Sequence, residues 1–340
     1  MFPDLIEKLR RRIDLTEREA SEAMGAIMDG SAAPAEIAGF LVGLVMKGER
    51  PDEIVGLART MRDRALKLPA APGEVFDTCG TGGDRAHTIN VSTMAALVVA
   101  ACGVRVAKHG NRSVSSRCGT ADVLEALGVN VAAPPEIAMR CLQEAGIAFF
   151  FAQTFHPAMK HAAPTRRALG IRTAFNLLGP LTNPAGATRQ LVGVPQPELT
   201  ELVARSLSLL GSERAWVVHG ADGIDEISTT GYTKISECRD GAVNTFYLHP
   251  GDVGLSKAAP ERLKGGDAAD NAAVVREVLS GAPGPARDIV LLNAGASLLI
   301  AGRAAAIPQG IAMAADAIDS GRAMAALASL VRVSNEEAAA

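Results

Sequence analysis

Apolar positions recur every three or four residues over the first part of the chain, then give way to short apolar runs. Thr16-Glu17-Arg18-Glu19 has the spacing of a capping box, and Ala20, Ala23, Met24, Ile27 and Met28 follow on one helical face. A second face follows Pro34: Ile37, Phe40, Leu41, Leu44 and Val45. A third follows Pro51 and Asp52: Ile54, Leu57, Ala58 and Met61. Residues 1 to about 68 are therefore expected to be all-helical. Three short amphipathic helices bury little by themselves, so they are expected to pack on something else, a second subunit included.

The stretch 68–73, LPAAPG, breaks the helical period and reads as a linker. Beyond it short apolar strands alternate with helices. Strands are expected at 75–79, 104–107, 147–151, 191–194 and 215–218, and helices at 93–102, 121–127 and 197–210. The Ala-rich tail reads as helix. This alternation predicts an α/β fold: a small all-helical N-terminal domain, residues 1–70, and a large α/β domain, residues 71–340, with a central, mostly parallel sheet.

Composition narrows the function. With 340 residues, at ~150 per domain, about two domains fit. Lys and Arg number 34 against 37 Asp and Glu, a net charge of −3, without the basic excess of a nucleic-acid binder. Aromatics at 4% exclude a base-stacking platform. The longest apolar run, 94–104, is too short to span a membrane. The opening MFPDLIEKLRRRIDL lacks the apolar core of a secretory leader. None of the five cysteines is spaced C-x-x-C, so thiols in a reducing cytoplasm are expected.

Four segments carry chemistry. In 77–84, DTCGTGGD, three glycines follow a strand and precede Asn90-Val91-Ser92-Thr93 at a helix start. Such a turn can aim several N–H groups at one anion, a phosphate for instance. A Gly-rich turn is as often only a tight turn, and this one matches neither G-x-G-x-x-G nor the P-loop. The second segment, Lys108-His109-Gly110-Asn111-Arg112-Ser113-Val114-Ser115-Ser116, reads as a donor-rich loop at the carboxyl end of a strand. The third, Asp225-Glu226, follows another strand, and adjacent carboxylates suit Mg²⁺ bridging to phosphate. An acidic surface turn is the plainer alternative. The fourth holds His156 and then Arg166, a guanidinium able to grip a carboxylate or phosphate. The lone His219 reads as a satisfied strand-end residue.

Together these motifs resemble the anthranilate phosphoribosyltransferase family over nearly the whole chain. The matching segments are GTGGD at 80–84, NVST at 90–93, KHGNRSVSS at 108–116, ADVLEALG at 121–128, HPAMK at 156–160, NLLGPLTNP at 176–184 and GIDE at 223–226. The resemblance implies transfer of the phosphoribosyl group of 5-phosphoribosyl 1-diphosphate to the anthranilate amine, in tryptophan biosynthesis. It implies a donor site at Gly80, Gly83, Asp84, Thr88, Asn90, Val91, Ser92, Thr93, the 108–116 segment and Thr120. It places anthranilate at Gly80, Asn111 and Arg166, with His109 and His156 nearby, and magnesium, two ions per subunit, at Ser92, Asp225 and Glu226. No acid, base or nucleophile is assigned. The implied fold is shared with pyrimidine nucleoside phosphorylases, helical segments from about 166–190 join the small domain, and the chain is a cytoplasmic homodimer binding neither nucleic acid nor membrane. Arg85 and His87 stand where the family usually has Gly and Asn, and Thr120 where it has Ser. A nucleoside phosphorylase using inorganic phosphate is the alternative on the same fold, and a nucleic-acid-binding relative a third reading that the net charge disfavours.

Overall fold

The computed structural model describes residues 1–70, 72–84, 86–113 and 117–337. Four helices open the chain: α1 (Phe2–Arg10), α2 (Glu17–Met28), α3 (Pro34–Lys47) and α4 (Pro51–Asp63). The capping box before α2 forms: the Glu19 N–H donates to Thr16 Oγ1 at 3.2 Å and the Thr16 N–H to Glu19 Oε2 at 3.0 Å. Proline stands at the start of α3 and α4, where its missing N–H has no helical acceptor to lose. The periodicity had not separated α1, whose Phe2 packs edge-on against Phe40 at 5.9 Å.

An α/β alternation follows: β1 (Phe76–Gly80), α5 (Val91–Ala101), β2 (Val106–Gly110), α6 (Thr120–Ala126), α7 (Pro135–Glu144), β3 (Ile147–Phe151), α8 (Ala152–Phe155), α9 (Ala163–Leu169), α10 (Ala174–Leu181), β4 (Arg189–Gly193), α11 (Leu199–Leu209) and β5 (Arg214–Gly220). A hairpin, β6 (Thr233–Arg239) and β7 (Ala242–Leu248), precedes α12 (Ala268–Leu279), α13 (Pro285–Ile300), α14 (Ile307–Asp319) and α15 (Arg322–Ser334). The sheet has seven strands in the order β3-β2-β1-β4-β5-β6-β7. The first five in chain order are parallel; β6 and β7 are antiparallel additions. The sheet is thus mostly parallel, as expected, and the hairpin was not foreseen. Its turn is Asp240-Gly241, both at positive φ, 52° and 78°.

The chain order reverses between β1 and β4, which lie side by side with Gly80 opposite Gly193 at their carboxyl ends. Crossovers leave in opposite directions there, which opens a crevice in sheets of this type.

Alternate strand residues feed two cores. Leu191, Trp216 and Val218 face α5 and the C-terminal helices. Val192, Val194, Ala215 and Val217 face the other way, onto α10, α11 and the four N-terminal helices. Phe40 and Leu44, on the stripe that could have faced a second subunit, are fully buried inside this chain. That layer also holds a buried ion pair, Lys47 Nζ to Glu53 Oε2 at 3.0 Å, and Glu53 accepts the Leu15 N–H at 2.8 Å.

One sequence expectation needs correcting. β2 starts two residues later than foreseen and runs through Gly110, so Lys108 and His109 are buried strand residues, not members of a solvated loop. Their polar groups are met inside the protein, as described next.

Candidate active site

The crevice begins with two glycines. A Cβ at Gly80 would meet Asp225 Oδ2 at 2.3 Å, and one at Gly193 would meet the Asp225 carbonyl oxygen at 1.6 Å. Only hydrogen at both positions lets the loop after β5 lie across the ends of β1 and β4. That loop brings Asp225 and Glu226 to the Gly-rich turn. The Gly82 N–H donates to Asp225 Oδ2 at 3.0 Å, and the Ser92 N–H, in the first turn of α5, donates to Glu226 Oε1 at 3.0 Å. The N-terminal N–H groups of a helix carry positive potential, so a carboxylate takes the place an anionic ligand would take. Asp84 lies close enough to repel Asp225. Burial, then this crowding of like charges, raises the pKa of both Asp225 and Glu226. A site in that state gains from a cation.

Beneath it Lys108 spans two elements. Its Nζ donates to the Thr78 carbonyl at 2.5 Å and to Ser92 Oγ at 3.2 Å. Burial lowers its pKa, and Asp77, Glu226 and Asp225 oppose that shift. Asp77 is fully buried; it accepts from the His109 N–H at 3.2 Å and from Asn183 Nδ2 at 2.8 Å. The same Asn183 amide donates to the Ala107 carbonyl at 2.8 Å, tying β1, β2 and the 182–185 turn together. Lys108 is thus tied to Ser92 and to the surrounding carboxylates.

A second group of residues sits beside β2. The rings of His109 and His156 are 5.3 Å apart. His109 Nδ1 bonds the Gly179 carbonyl at 2.9 Å, and His156 Nε2 bonds the Thr182 carbonyl at 3.0 Å. Burial lowers their pKa values to about 3 and about 4, so both rings are neutral at pH 7. A nitrogen acting as donor to a carbonyl leaves the other as acceptor, and among the described residues His109 Nε2 and His156 Nδ1 have no partner. Arg166 on α9 lies over the Phe175 ring at 5.0 Å. Burial alone lowers its pKa; among the described residues no carboxylate pairs with it. Its neighbour Arg167 is exposed.

The other sequence-derived candidates divide. Val91 and Thr93 are buried in the first turn of α5. Asn90 accepts from Asn271 Nδ2 at 2.9 Å and so braces α12. Thr88 bridges to Lys264. Gly110 lies against Thr120 at the start of α6. The Asn111 side chain caps the Arg112 N–H. Arg112 is held by Asp122 and Glu125, at 3.0 and 2.8 Å, and is turned to α6. The Ser113 N–H donates to Asp122. Val114, Ser115 and Ser116 lie outside the described residues, as does Arg85. His219 bonds the Val194 carbonyl at 2.9 Å, the strand-end role expected of it.

Sequence reasoning missed Asp77, Asn183, Gly193 and Arg172. Arg172, between α9 and α10, donates to the Gly82 carbonyl and to Thr81 Oγ1. Its signal was available: a cation just after Gly170, whose left-handed φ of 62° ends α9.

Two family profiles match the chain. The glycosyl transferase family helical bundle domain covers residues 3–65, and the glycosyl transferase family α/β domain covers residues 72–324. An anthranilate phosphoribosyltransferase of Moorella thermoacetica is 59% identical over 97% of this chain and 98% of its own. The crystal structure of the Thermus thermophilus enzyme of that name superposes with a TM-score of 0.91 at 46% identity, over 98% of this chain and 100% of its own. The Saccharomyces cerevisiae enzyme, solved in complex with 5-phosphoribosyl 1-diphosphate and Mg, gives 0.89 at 26% identity, over 98% and 97% of the two chains.

Proposed function

The chain belongs to the anthranilate phosphoribosyltransferases of the glycosyl transferase family, and from that premise we propose how its crevice works. The reaction moves the phosphoribosyl group of 5-phosphoribosyl 1-diphosphate to the anthranilate amine, giving N-(5-phosphoribosyl)anthranilate and diphosphate, in tryptophan biosynthesis. The C1–O bond to diphosphate breaks, a C1–N bond forms, and the amine proton leaves with water or diphosphate. One observation carries the assignment of the site: Asp225 and Glu226 are held by backbone N–H groups against the Gly-rich turn and the start of α5.

Donor phosphates lie over Gly80, Gly83, Asp84 and Thr88 and along Asn90–Thr93, with Gly110, Asn111 and Thr120 on the far side. The N–H groups of Gly83 and Asp84 meet the charge that develops on diphosphate as it leaves, those of Thr81 and Gly82 being taken by Gly193 and Asp225. Asp225, Glu226 and the Ser92 hydroxyl fit a hard dication. Among the described residues no three His, Cys, Asp or Glu side chains form a complete cage, which suits Mg²⁺ held by one or two carboxylates plus phosphate oxygens. When bound, the metal neutralises the diphosphate charge. Two ions per subunit are part of the proposal, because the two carboxylates turn to different elements.

Anthranilate lies at Gly80 and Asn111, its carboxylate on Arg166, a half-buried guanidinium that no acidic residue claims among the described residues. His109 and His156 are neutral there and hold no proton to give at pH 7 beyond the one each shares with a carbonyl. Proximity and leaving-group stabilisation therefore carry catalysis, with no acid, base or nucleophile from the chain.

We place the domain division at residue 70, with α9 and α10 counted with the helical layer they pack on. A homodimer through that layer is supported by the apolar side chains it leaves outside, Ile13, Val45 and Met46. A cytoplasmic location is supported by the buried thiols of Cys79, Cys141 and Cys238. No helix is long and apolar enough to cross a membrane among the described residues.

The test is loss of anthranilate fluorescence with diphosphate release on mixing anthranilate, 5-phosphoribosyl 1-diphosphate and Mg²⁺. Asp225→Asn and Glu226→Gln should each lower the rate on the order of 10²-fold. Wild-type metal dependence in both variants would reduce the loop to an acidic turn. Phosphorolysis of a pyrimidine nucleoside with no use of anthranilate would favour the phosphorylase alternative.

A further inference from the structure

Arg172 has no part in the donor or acceptor contacts assigned above, yet it touches the turn on which the donor site rests. It lies in the link between α9 and α10, flanked by Ala174, Phe175, Leu177 and Leu178, which are packed in the core of the helical layer. From there its guanidinium crosses to the α/β domain. One nitrogen donates to the Gly82 carbonyl and another to Thr81 Oγ1 at 3.4 Å. The charges of Asp225 and Asp84 act on it, and burial opposes them. The turn has made room for it: a Cβ at Gly83 would fall 1.8 Å from Nη1.

The turn needs such a hold. Gly82 and Gly83 are both at positive φ, 64° and 81°, and glycines in series give a chain its greatest freedom. The N–H of Gly82 orients Asp225, while its carbonyl is held by Arg172. The Asp225 carboxylate, the Gly82 peptides and the Arg172 guanidinium therefore form one relay.

We propose that Arg172 is a positioning residue for the phosphoribosyl donor: a two-point brace from the helical layer that fixes the Thr81–Gly83 turn and, through Gly82, the direction of Asp225. This rests on the donor-site reading above. A guanidinium suits the task because its planar fork fixes two acceptors at once, which an ammonium on a flexible stem does not. Arg166 and Arg172, a few residues apart, then serve opposite halves of the reaction.

The experiment compares wild type, Arg172→Ala, Arg172→Lys and Arg166→Ala. Hydrogen exchange is followed without substrates, and binding of 5-phosphoribosyl 1-diphosphate with Mg²⁺ is measured by calorimetry without anthranilate. In Arg172→Ala, exchange should quicken in peptides covering 80–84 and stay unchanged in those covering α10. Donor affinity should fall about tenfold, the scale of a lost hydrogen bond to a charged group, while the anthranilate KM stays within about twofold. Arg166→Ala should show the reverse split. Arg172→Lys should recover less than half of the loss, and it decides the matter should the alanine variant not fold. Unchanged exchange at 80–84, or full recovery by lysine, overturns the brace. Failure of wild type to bind the donor would instead overturn the donor-site reading, and the exchange comparison would still decide the brace.

Discussion

Gly193 and Asp225 are in backbone contact so close that a Cβ on the first would fall 1.6 Å from the carbonyl oxygen of the second. Gly193 ends β4 and Asp225 belongs to the loop after β5, so the contact seats an acidic loop on a strand end. Gly193→Ala should therefore displace Asp225 while leaving the sheet core intact. Mg²⁺-dependent activity should fall on the order of 10²-fold, because leaving-group stabilisation depends on carboxylate placement. The check is steady-state kinetics with Mg²⁺ titration beside a far-ultraviolet spectrum. Full activity in a folded variant would mean the loop has slack that the contact does not show.

Arg166→Ala should damage use of anthranilate. Loss of a charge-assisted pair in a partly enclosed site should cost roughly 2–4 kcal/mol in kcat/KM for anthranilate, about 30- to 1000-fold. Affinity for the phosphorylated donor should be nearly kept. Arg167→Ala is the control, since Arg167 faces solvent on the same helix. Equal harm from both variants would remove Arg166 from the acceptor site.

The buried pair in the helical layer predicts a stability effect separate from catalysis. Lys47 and Glu53 side chains are 3% and 0% exposed. Lys47→Met strands a buried carboxylate and should destabilise by about 3 kcal/mol. Adding Glu53→Gln should recover part of that, since the charge goes while the amide oxygen still accepts from one of the two backbone donors, Leu15 or Arg50. Urea unfolding of the single and double variants is the measurement. A double variant less stable than Lys47→Met would contradict the account.

His109 and His156 predict a pH dependence. Their folded pKa values, about 3 and about 4, lie below the ordinary 6.5. As pH falls below 6.5 the unfolded chain takes up protons that the folded chain refuses. Stability is therefore full above about pH 6.5 and is lost toward pH 4, by up to about 1.4 kcal/mol per pH unit for each ring. Asp225 and Glu226, with raised pKa values, act in the opposite sense by binding protons in the folded state first. Replacing both histidines by Gln should flatten the acid-side loss between pH 6.5 and 4.5 in urea titrations. An unchanged slope would show that both rings take up protons in the folded protein as readily as in the unfolded chain.

Much of this architecture was legible because local chemistry agreed with the fold. Thr16 with Glu19, and the prolines at 34 and 51, mark helix starts by satisfying or removing N–H groups, which needs no tertiary knowledge. The hairpin was legible too, in the Asp240-Gly241 signal between strands, but was not read. Lys108 was illegible for a physical reason. Its residue type predicts solvent, whereas its burial depends on Asp77 on the adjacent strand and on carbonyls brought near only by the sheet. Arg172 and Gly193 were hidden likewise, since their partners lie far along the chain and are adjacent only once β4 and β5 are paired beside β1. Asp225 and Glu226 stood out by their place in the GIDE match, since two neighbouring carboxylates after a strand read by themselves as an acidic turn.

The shared core of the helical layer has a consequence for synthesis on the ribosome. Beyond packing on one another, α2, α3 and α4 share their core with α10, α11 and strand residues as late as Cys238. Roughly 175 further residues must emerge before all of those partners exist, on the order of ten to thirty-five seconds at cellular elongation speed. For that interval the nascent chain carries Phe40, Leu41, Leu44, Ile54 and Leu57 with only part of their final covering. A ribosome stalled soon after α4 would therefore display a sticky, incomplete bundle.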